Sequence, residues 1–261
     1  GELDYVLKKL SKWMQPRKVQ LSLSQLPGSA WVQPEPLGSI LIIGPWNYPF
    51  QLIISPLMGA IAAGNCAVLK PSEFAPMTSQ VLTRLVRDTF DPTYVAIVEG
   101  GIDTAQALLS EPFDHILFTG GGRVGKLVMQ AAAEHLTPVT LELGGKSPCI
   151  VDADTNIEVT AKRIAWGKFL NAGQTCIAPD YLLVHEDVKP ALVEALINTI
   201  NASYGEDPAT SPDFSRIVNE RQFDRLTELL GTGDIVVGGQ QDRANRYIAP
   251  TIIDNVSWDA P

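Results

Sequence analysis

Apolar positions along this chain follow two rhythms. Leu3, Val6, Leu7, Leu10 and Trp13 recur every three or four residues, so residues 3–14 read as an amphipathic helix. Val19, Leu21 and Leu23 then alternate with polar residues, and after Pro27-Gly28 a second extended run covers Ala30 to Gln33. This pair predicts a hairpin within residues 17–35. From residue 39, apolar runs at about 39–43, 66–70, 94–98, 114–118 and 138–141 alternate with helical patterns at about 52–63, 77–90, 102–109 and 124–135. Apolar strands alternating with helices specify a parallel sheet covered on both faces. Its ligand is then expected at the carboxyl ends of the strands.

A second α/β series starts near Gly144-Gly145, with strand 147–151, helix 156–170, strand 181–185, helices 187–203 and 219–230, and strand 234–237. The glycine pair suggests two domains, 1–143 and 144–261, although no linker, internal repeat or low-complexity tract marks the boundary. Residues 36–69 carry no charged side chain, a length that could suit a membrane span. Pro45, Pro49 and Pro56, with Gly44, Asn47 and Asn65, interrupt that run, and a buried strand–loop–helix–strand core accounts for it better.

Composition narrows the function classes. Of 261 residues, 45% are hydrophobic and 19% charged, a globular balance. The formal net charge of −9 argues against a nucleic-acid surface, which needs clustered positive charge. Cys66, Cys149 and Cys176 lie far apart, with no CxxC pair, so a reducing, cytoplasmic setting is expected. His115, His135 and His185 are scattered and form no ligand motif, so no metal is expected. The start, Gly-Glu-Leu-Asp, lacks the basic and apolar regions of a signal peptide.

Candidate chemistry lies at the ends of the strands. Cys176 sits in a polar, glycine-containing loop, Asn171 to Asp180, between a helical pattern and the apolar run Tyr181 to Val184. That setting can expose and orient a thiolate, whereas a free cysteine otherwise behaves as a small hydrophobe. Cys66 and Cys149 fall in apolar strand patterns and read as core residues. The loop Gly120-Gly121-Gly122-Arg123-Val124-Gly125-Lys126 opens a helix, where backbone N–H groups favour a phosphate; a tight strand–helix turn is the alternative. Leu127 follows Lys126 where a Walker A motif needs Ser or Thr, and the spacing is not GxGxxG. Lys70 and Glu73 end a strand and read locally as surface charges, and Asn47 as a turn residue. Glu142 stands between Leu141 and Leu143, where loss of hydration would make it hold a proton more readily, as suits a general base; a salt-bridged strand end is the alternative.

The segment Asn171 to Asp180 resembles the cysteine loop of the aldehyde dehydrogenase superfamily, in the form found in its class 3 branch of fatty and aromatic aldehyde dehydrogenases. Pro45-Trp46-Asn47-Tyr48-Pro49-Phe50, Lys70-Pro71-Ser72-Glu73, Phe118-Thr119-Gly120 through Gly125, and Leu141-Glu142-Leu143-Gly144-Gly145-Lys146 resemble the same family in the expected order. The resemblance covers essentially the whole chain. It implies an α/β fold with a Rossmann-type parallel-sheet cofactor domain and a second α/β catalytic domain. It also implies NAD-dependent oxidation of an aldehyde to the acid, with NADP as an alternative cofactor. By the same resemblance, Cys176 is the nucleophile that forms a thiohemiacetal and then a thioester. Asn47 is an oxyanion donor, and Glu142 the base that activates water. Trp46, Lys70, Glu73, Gly120, Gly121, Gly122, Arg123, Val124 and Gly125 border the cofactor, with Lys70 and Glu73 at the adenosine ribose and the glycine loop at the pyrophosphate. Many relatives have a polar residue where Gly121 stands, so one side-chain phosphate contact is missing here.

The family continues beyond the point matching Pro261, into a segment whose glutamate binds the nicotinamide ribose. The chain is therefore expected to be incomplete at both ends, with a homodimer as the full-length state and membrane association left open. A non-catalytic scaffold, a P-loop-like hydrolase and a CoA-acylating dehydrogenase are the competing readings. Leu127 weighs against the hydrolase, and Glu142 favours hydrolysis to the free acid over acyl transfer.

Overall fold

The computed structural model describes residues 1–260. The chain divides into two compact units, Gly1–Leu143 and Gly144–Pro261.

In the first unit, helix α1 (Glu2–Trp13) precedes strands β1 (Arg17–Val19) and β2 (Ala30–Val32), which pair antiparallel with Arg17 opposite Val32. The hairpin is therefore present, but its first strand ends at Val19. Leu23–Gln25 form a 3₁₀ turn instead of continuing the alternation. The βα series follows: β3 (Ser39–Ile43), α2 (Gln51–Ala62), β4 (Cys66–Lys70), α3 (Pro76–Thr89), β5 (Val95–Ile97), α4 (Ile102–Leu109), β6 (His115–Gly120), α5 (Gly122–Ala133) and β7 (Val139–Leu143). The five strands form one parallel sheet in the order β5-β4-β3-β6-β7.

The sequence of β3 explains its central place. Ile40 and Ile42 pack into one core with Leu69, Ile53, Leu57, Leu82 and Val86. Leu41 and Ile43 pack into another with Ile116, Phe118, Val128 and Ala132. Successive side chains thus fill opposite faces, and the strand reads as an unbroken apolar run because both faces are covered. The uncharged stretch 36–69 is accordingly strand, loop, helix and strand. Among the described residues, no helix is long and apolar enough to cross a membrane.

In the second unit, β8 (Pro148–Val151) pairs parallel with β9 (Tyr181–Val184), with α6 (Ile157–Phe169) between them in the chain. Helices α7 (Lys189–Tyr204) and α8 (Glu220–Thr227) follow. Strand β10 (Asp234–Val237) pairs antiparallel with β13 (Ile252–Asp254), and β11 (Gln241–Asp242) with β12 (Tyr247–Ile248). The last three strands have two or three residues each, too few for alternation to show in the sequence. Asn156 and Asn219 cap α6 and α8, their side chains accepting from Val159 N and Gln222 N at 3.0 Å. Each helix therefore begins one residue later than the apolar pattern suggests, because the cap lies outside the helical backbone.

Candidate functional site

In the first unit the chain leaves β3 for β4 and β5 on one side, then returns through β6 and β7 on the other. In open α/β sheets such a reversal is where a ligand is expected, here at the carboxyl ends of β3, β4 and β6. The three segments singled out in the sequence leave the sheet at that end: Gly44 to Phe50 after β3, Pro71 to Ala75 after β4, and the glycine run that begins with the last residue of β6, Gly120, and continues into α5.

The first loop is tightly drawn. Gly44 N donates to Lys70 O at 3.0 Å, and a Cβ added to Gly44 would lie 2.5 Å from Cδ1 of the fully buried Ile53. The loop then carries Trp46 and Asn47, both half-buried, in a bend where Asn47 Oδ1 accepts from Tyr48 N at 3.1 Å.

Lys70 corrects the surface-charge reading. It is 4% exposed, and its Nζ donates to Glu73 Oε2 at 2.9 Å. A buried ammonium is costly unless paired, and this pairing holds the more exposed Glu73 carboxylate at the strand end.

Helix α5 begins within the glycine run, two residues earlier than the apolar periodicity suggests, with Gly121 as its N-cap. Gly120 closes β6. A Cβ on Gly121 or Gly122 would meet nothing within 4 Å, so the helix N-terminus faces open space. Arg123 and Val124 are exposed in the first turn, and Gly125 is buried. This is the geometry an anionic group requires: unobstructed N–H groups at the positive end of a helix.

Glu142 lies on β7, at the edge of the sheet. Leu141 packs into the core beside it, whereas Glu142, one residue on, points to the opposite face and is exposed. The expected loss of hydration is therefore corrected. Flanking leucines in a strand occupy the other face and do not enclose the residue between them.

In the second unit, Cys176 is exposed on a turn closed by Ala178 N donating to Thr175 O at 3.2 Å. Before it, Asn171, Ala172 and Gly173 have φ of +54°, +52° and +77°, a left-handed run that reverses the chain leaving α6. Gln174 then spans to the segment 216–218. Its Nε2 donates to Asn171 O and Arg216 O at 3.0 Å each, and its Oε1 accepts from Val218 N at 2.9 Å. Gly145 approaches the loop from another side, a Cβ there lying 3.7 Å from Cys176 O. Lys146 Nζ and Asp180 Oδ2 form an ion pair at 2.7 Å. Burial pushes the Lys168 ammonium below its usual range; Asp180 opposes that shift and Lys146 adds to it.

The other two cysteines differ from each other. Cys149 is half-buried against the core of the second unit, and burial pushes its thiol up. Cys66 is exposed, which corrects the core reading: it is the first residue of β4, paired in register with Ser39 at the amino end of the sheet, where no layer covers it. The bracing by Gln174 had no sequence signal, because its partners lie 42 and 44 positions away. Among the described residues, no group of three His, Cys, Asp or Glu side chains is arranged to hold a metal ion.

Residues 2–261 match the model of the "Aldehyde dehydrogenase family". The chain is 51% identical over 255 residues to 4,4'-diaponeurosporen-aldehyde dehydrogenase of Staphylococcus aureus, covering 97% of this chain and 56% of that protein. It is 51% identical over 256 residues to aldehyde dehydrogenase family 3 member A2 of Mus musculus, covering 98% of this chain and 53% of that one. Among solved structures, the substrate-bound state of Staphylococcus aureus AldH superposes with a TM-score of 0.92 at 50% identity, over 99% of this chain and 57% of that one. Mycobacterium tuberculosis aldehyde dehydrogenase complexed with NAD+ superposes with a TM-score of 0.86 at 29% identity, over 98% of this chain and 55% of that one. The chain thus spans about half the length of the curated relatives it matches.

Proposed function

This chain belongs to the aldehyde dehydrogenase family, and from that premise we propose that the protein oxidises an aldehyde to its carboxylic acid, with Cys176 as nucleophile and a nicotinamide dinucleotide as oxidant. The observation that carries this reading is the order of the first sheet. It gathers Trp46 and Asn47, the Lys70–Glu73 pair and the open N-terminus of α5 at one end.

The residues present fit a dinucleotide. The amides of Gly121 to Arg123 would take the pyrophosphate, with room that any Cβ at Gly121 or Gly122 would diminish. Glu73, held by Lys70, would accept hydrogen bonds from the adenosine ribose hydroxyls, and its charge opposes a 2′-phosphate, so NAD is favoured over NADP. The complex of the Mycobacterium tuberculosis relative with NAD+ supports a nicotinamide dinucleotide as the cofactor. The chemistry that a bound nicotinamide supplies is acceptance of a hydride from the carbon attached to sulfur.

The remaining steps belong to side chains of this chain. The Cys176 thiolate adds to the aldehyde carbon, placing negative charge on the former carbonyl oxygen. The Asn47 amide and the Cys176 N–H donate to that oxygen; donors of this kind contribute roughly 3–4 kcal/mol each. Loss of hydride leaves a thioester on Cys176. Glu142 takes a proton from water, which attacks the thioester and releases the acid and the free thiol. Exposure on the edge strand gives Glu142 access to water. The resemblance to the class 3 branch points to fatty or aromatic aldehydes as substrates, and the same reading carries a homodimer in a reducing, cytoplasmic setting.

The test is turnover of short, long and aromatic aldehydes with NAD, followed as NADH and as acid. Wild-type protein is expected to form both, and Cys176→Ala neither. Undiminished acid formation by Cys176→Ala would overturn the assignment. Failure of the wild type on every aldehyde would favour the scaffold reading.

A further inference from the structure

We propose that Gln174 is the positioning residue for the Cys176 thiol, an inference that rests on the reading of Cys176 as nucleophile. Three consecutive left-handed residues, Asn171 to Gly173, turn the chain just before the thiol. Such a turn cannot continue the hydrogen-bond ladder of α6; it keeps two short-range backbone bonds, Gln174 N to Asn171 O at 3.1 Å and Thr175 N to Gly173 O at 2.8 Å, neither of which ties it to the rest of the unit. The Gln174 side chain does so from both of its polar ends. Its NH₂ group binds Asn171 O within the turn and Arg216 O outside it, and its oxygen receives Val218 N.

The segment it grips is itself fixed. Ile217, 3% exposed, donates its N–H to Arg246 O at 2.9 Å. The Arg216 guanidinium donates to Phe214 O at 3.0 Å and to Ala209 O, and lies 5.1 Å from the ring centroid of the buried Tyr247. Position is thereby passed from the packed core of the second unit, through backbone carbonyls and one amide, to a loop whose thiol is two residues further on.

The chemistry of the amide is specific. Glutamate retains the acceptor for Val218 N but presents oxygen to two carbonyls and adds negative charge near the thiol. Asparagine retains both groups but is one methylene too short to span the same points.

The test is the pH profile of iodoacetamide alkylation at each cysteine, read by peptide mass spectrometry. Cys149, packed against the same core, reports whether the second unit is folded. In the wild type, Cys176 should react ahead of Cys66, which is also exposed. In Gln174→Glu, its rate near neutrality should fall about tenfold, in line with the loss of hydrogen bonds that hold the loop, and its profile should move to higher pH. In Gln174→Asn the rate should fall without a comparable shift, while Cys149 stays protected in both. If Gln174→Glu exposes Cys149, the asparagine variant carries the test. An unchanged Cys176 rate and profile in a folded variant would overturn the proposal alone. Wild-type Cys176 reacting no faster than Cys66 would overturn the nucleophile reading, and this proposal with it.

Discussion

Lys70 is a charged residue at the end of an apolar strand, and its environment decides its meaning. Its ammonium is buried and Glu73 is its carboxylate partner at 2.9 Å. Removing one partner of such a pair leaves the other uncompensated, so the two should be regarded as a unit. Glu73→Gln keeps an oxygen for Lys70 but removes the charge facing a 2′-phosphate. One like charge at 4 Å contributes about 1 kcal/mol in water, so the preference should move roughly fivefold toward NADP. Ratios of kcat/KM for the two cofactors check this, and an unmoved ratio would remove Glu73 as the ribose reader. Residue identity was legible in the sequence here, but environment was not. The apolar neighbours of Cys66 and Glu142 suggested burial, yet one opens its strand and the other lies on an edge strand, and both are exposed. Sequence neighbours in a strand occupy the opposite face, so they say little about what surrounds the residue between them.

Elements were easier to read, because each βα repeat spans enough residues for its period to emerge. The limits of β3 and β4 and the extent of α4 follow directly from the apolar runs. What escaped was set by single residues: the asparagine caps, the glycine start of α5 and the short strands after residue 240. Gly44 shows how an element junction depends on one position. It lets the exit of β3 pass over Ile53 of α2, and that exit carries Trp46 and Asn47. A methyl group at Gly44 forces a fully buried side chain to move, and overpacking of this kind costs about 1–3 kcal/mol. Gly44→Ala should therefore lower the denaturation midpoint and reduce turnover through the displaced loop. An unchanged midpoint would contradict the packing account.

At the scale of the whole molecule, the first unit supplies an open sheet with a topological switch point and the second a thiol on a braced turn. The α/β class and the parallel first sheet could be read from the alternation of strands and helices. Strand order could not, since pairing depends on which apolar faces meet and not on any local pattern. The proposed chemical roles rest on a resemblance spread over the chain, because Asn47, Glu142 and Cys176 are each ordinary residues in their local contexts. The central claim is that oxidation passes through an acyl group on Cys176. It is tested most directly by acid-quenching full-length Glu142→Gln protein after mixing with NAD and an aldehyde, then mapping adducts by peptide mass spectrometry. The account predicts that the peptide containing Cys176 gains the mass of the aldehyde less two hydrogens, together with a burst of NADH and little steady turnover. An acyl adduct on Cys66 or Cys149 in place of Cys176, or full turnover with no adduct at Cys176 at any quench time, would contradict it.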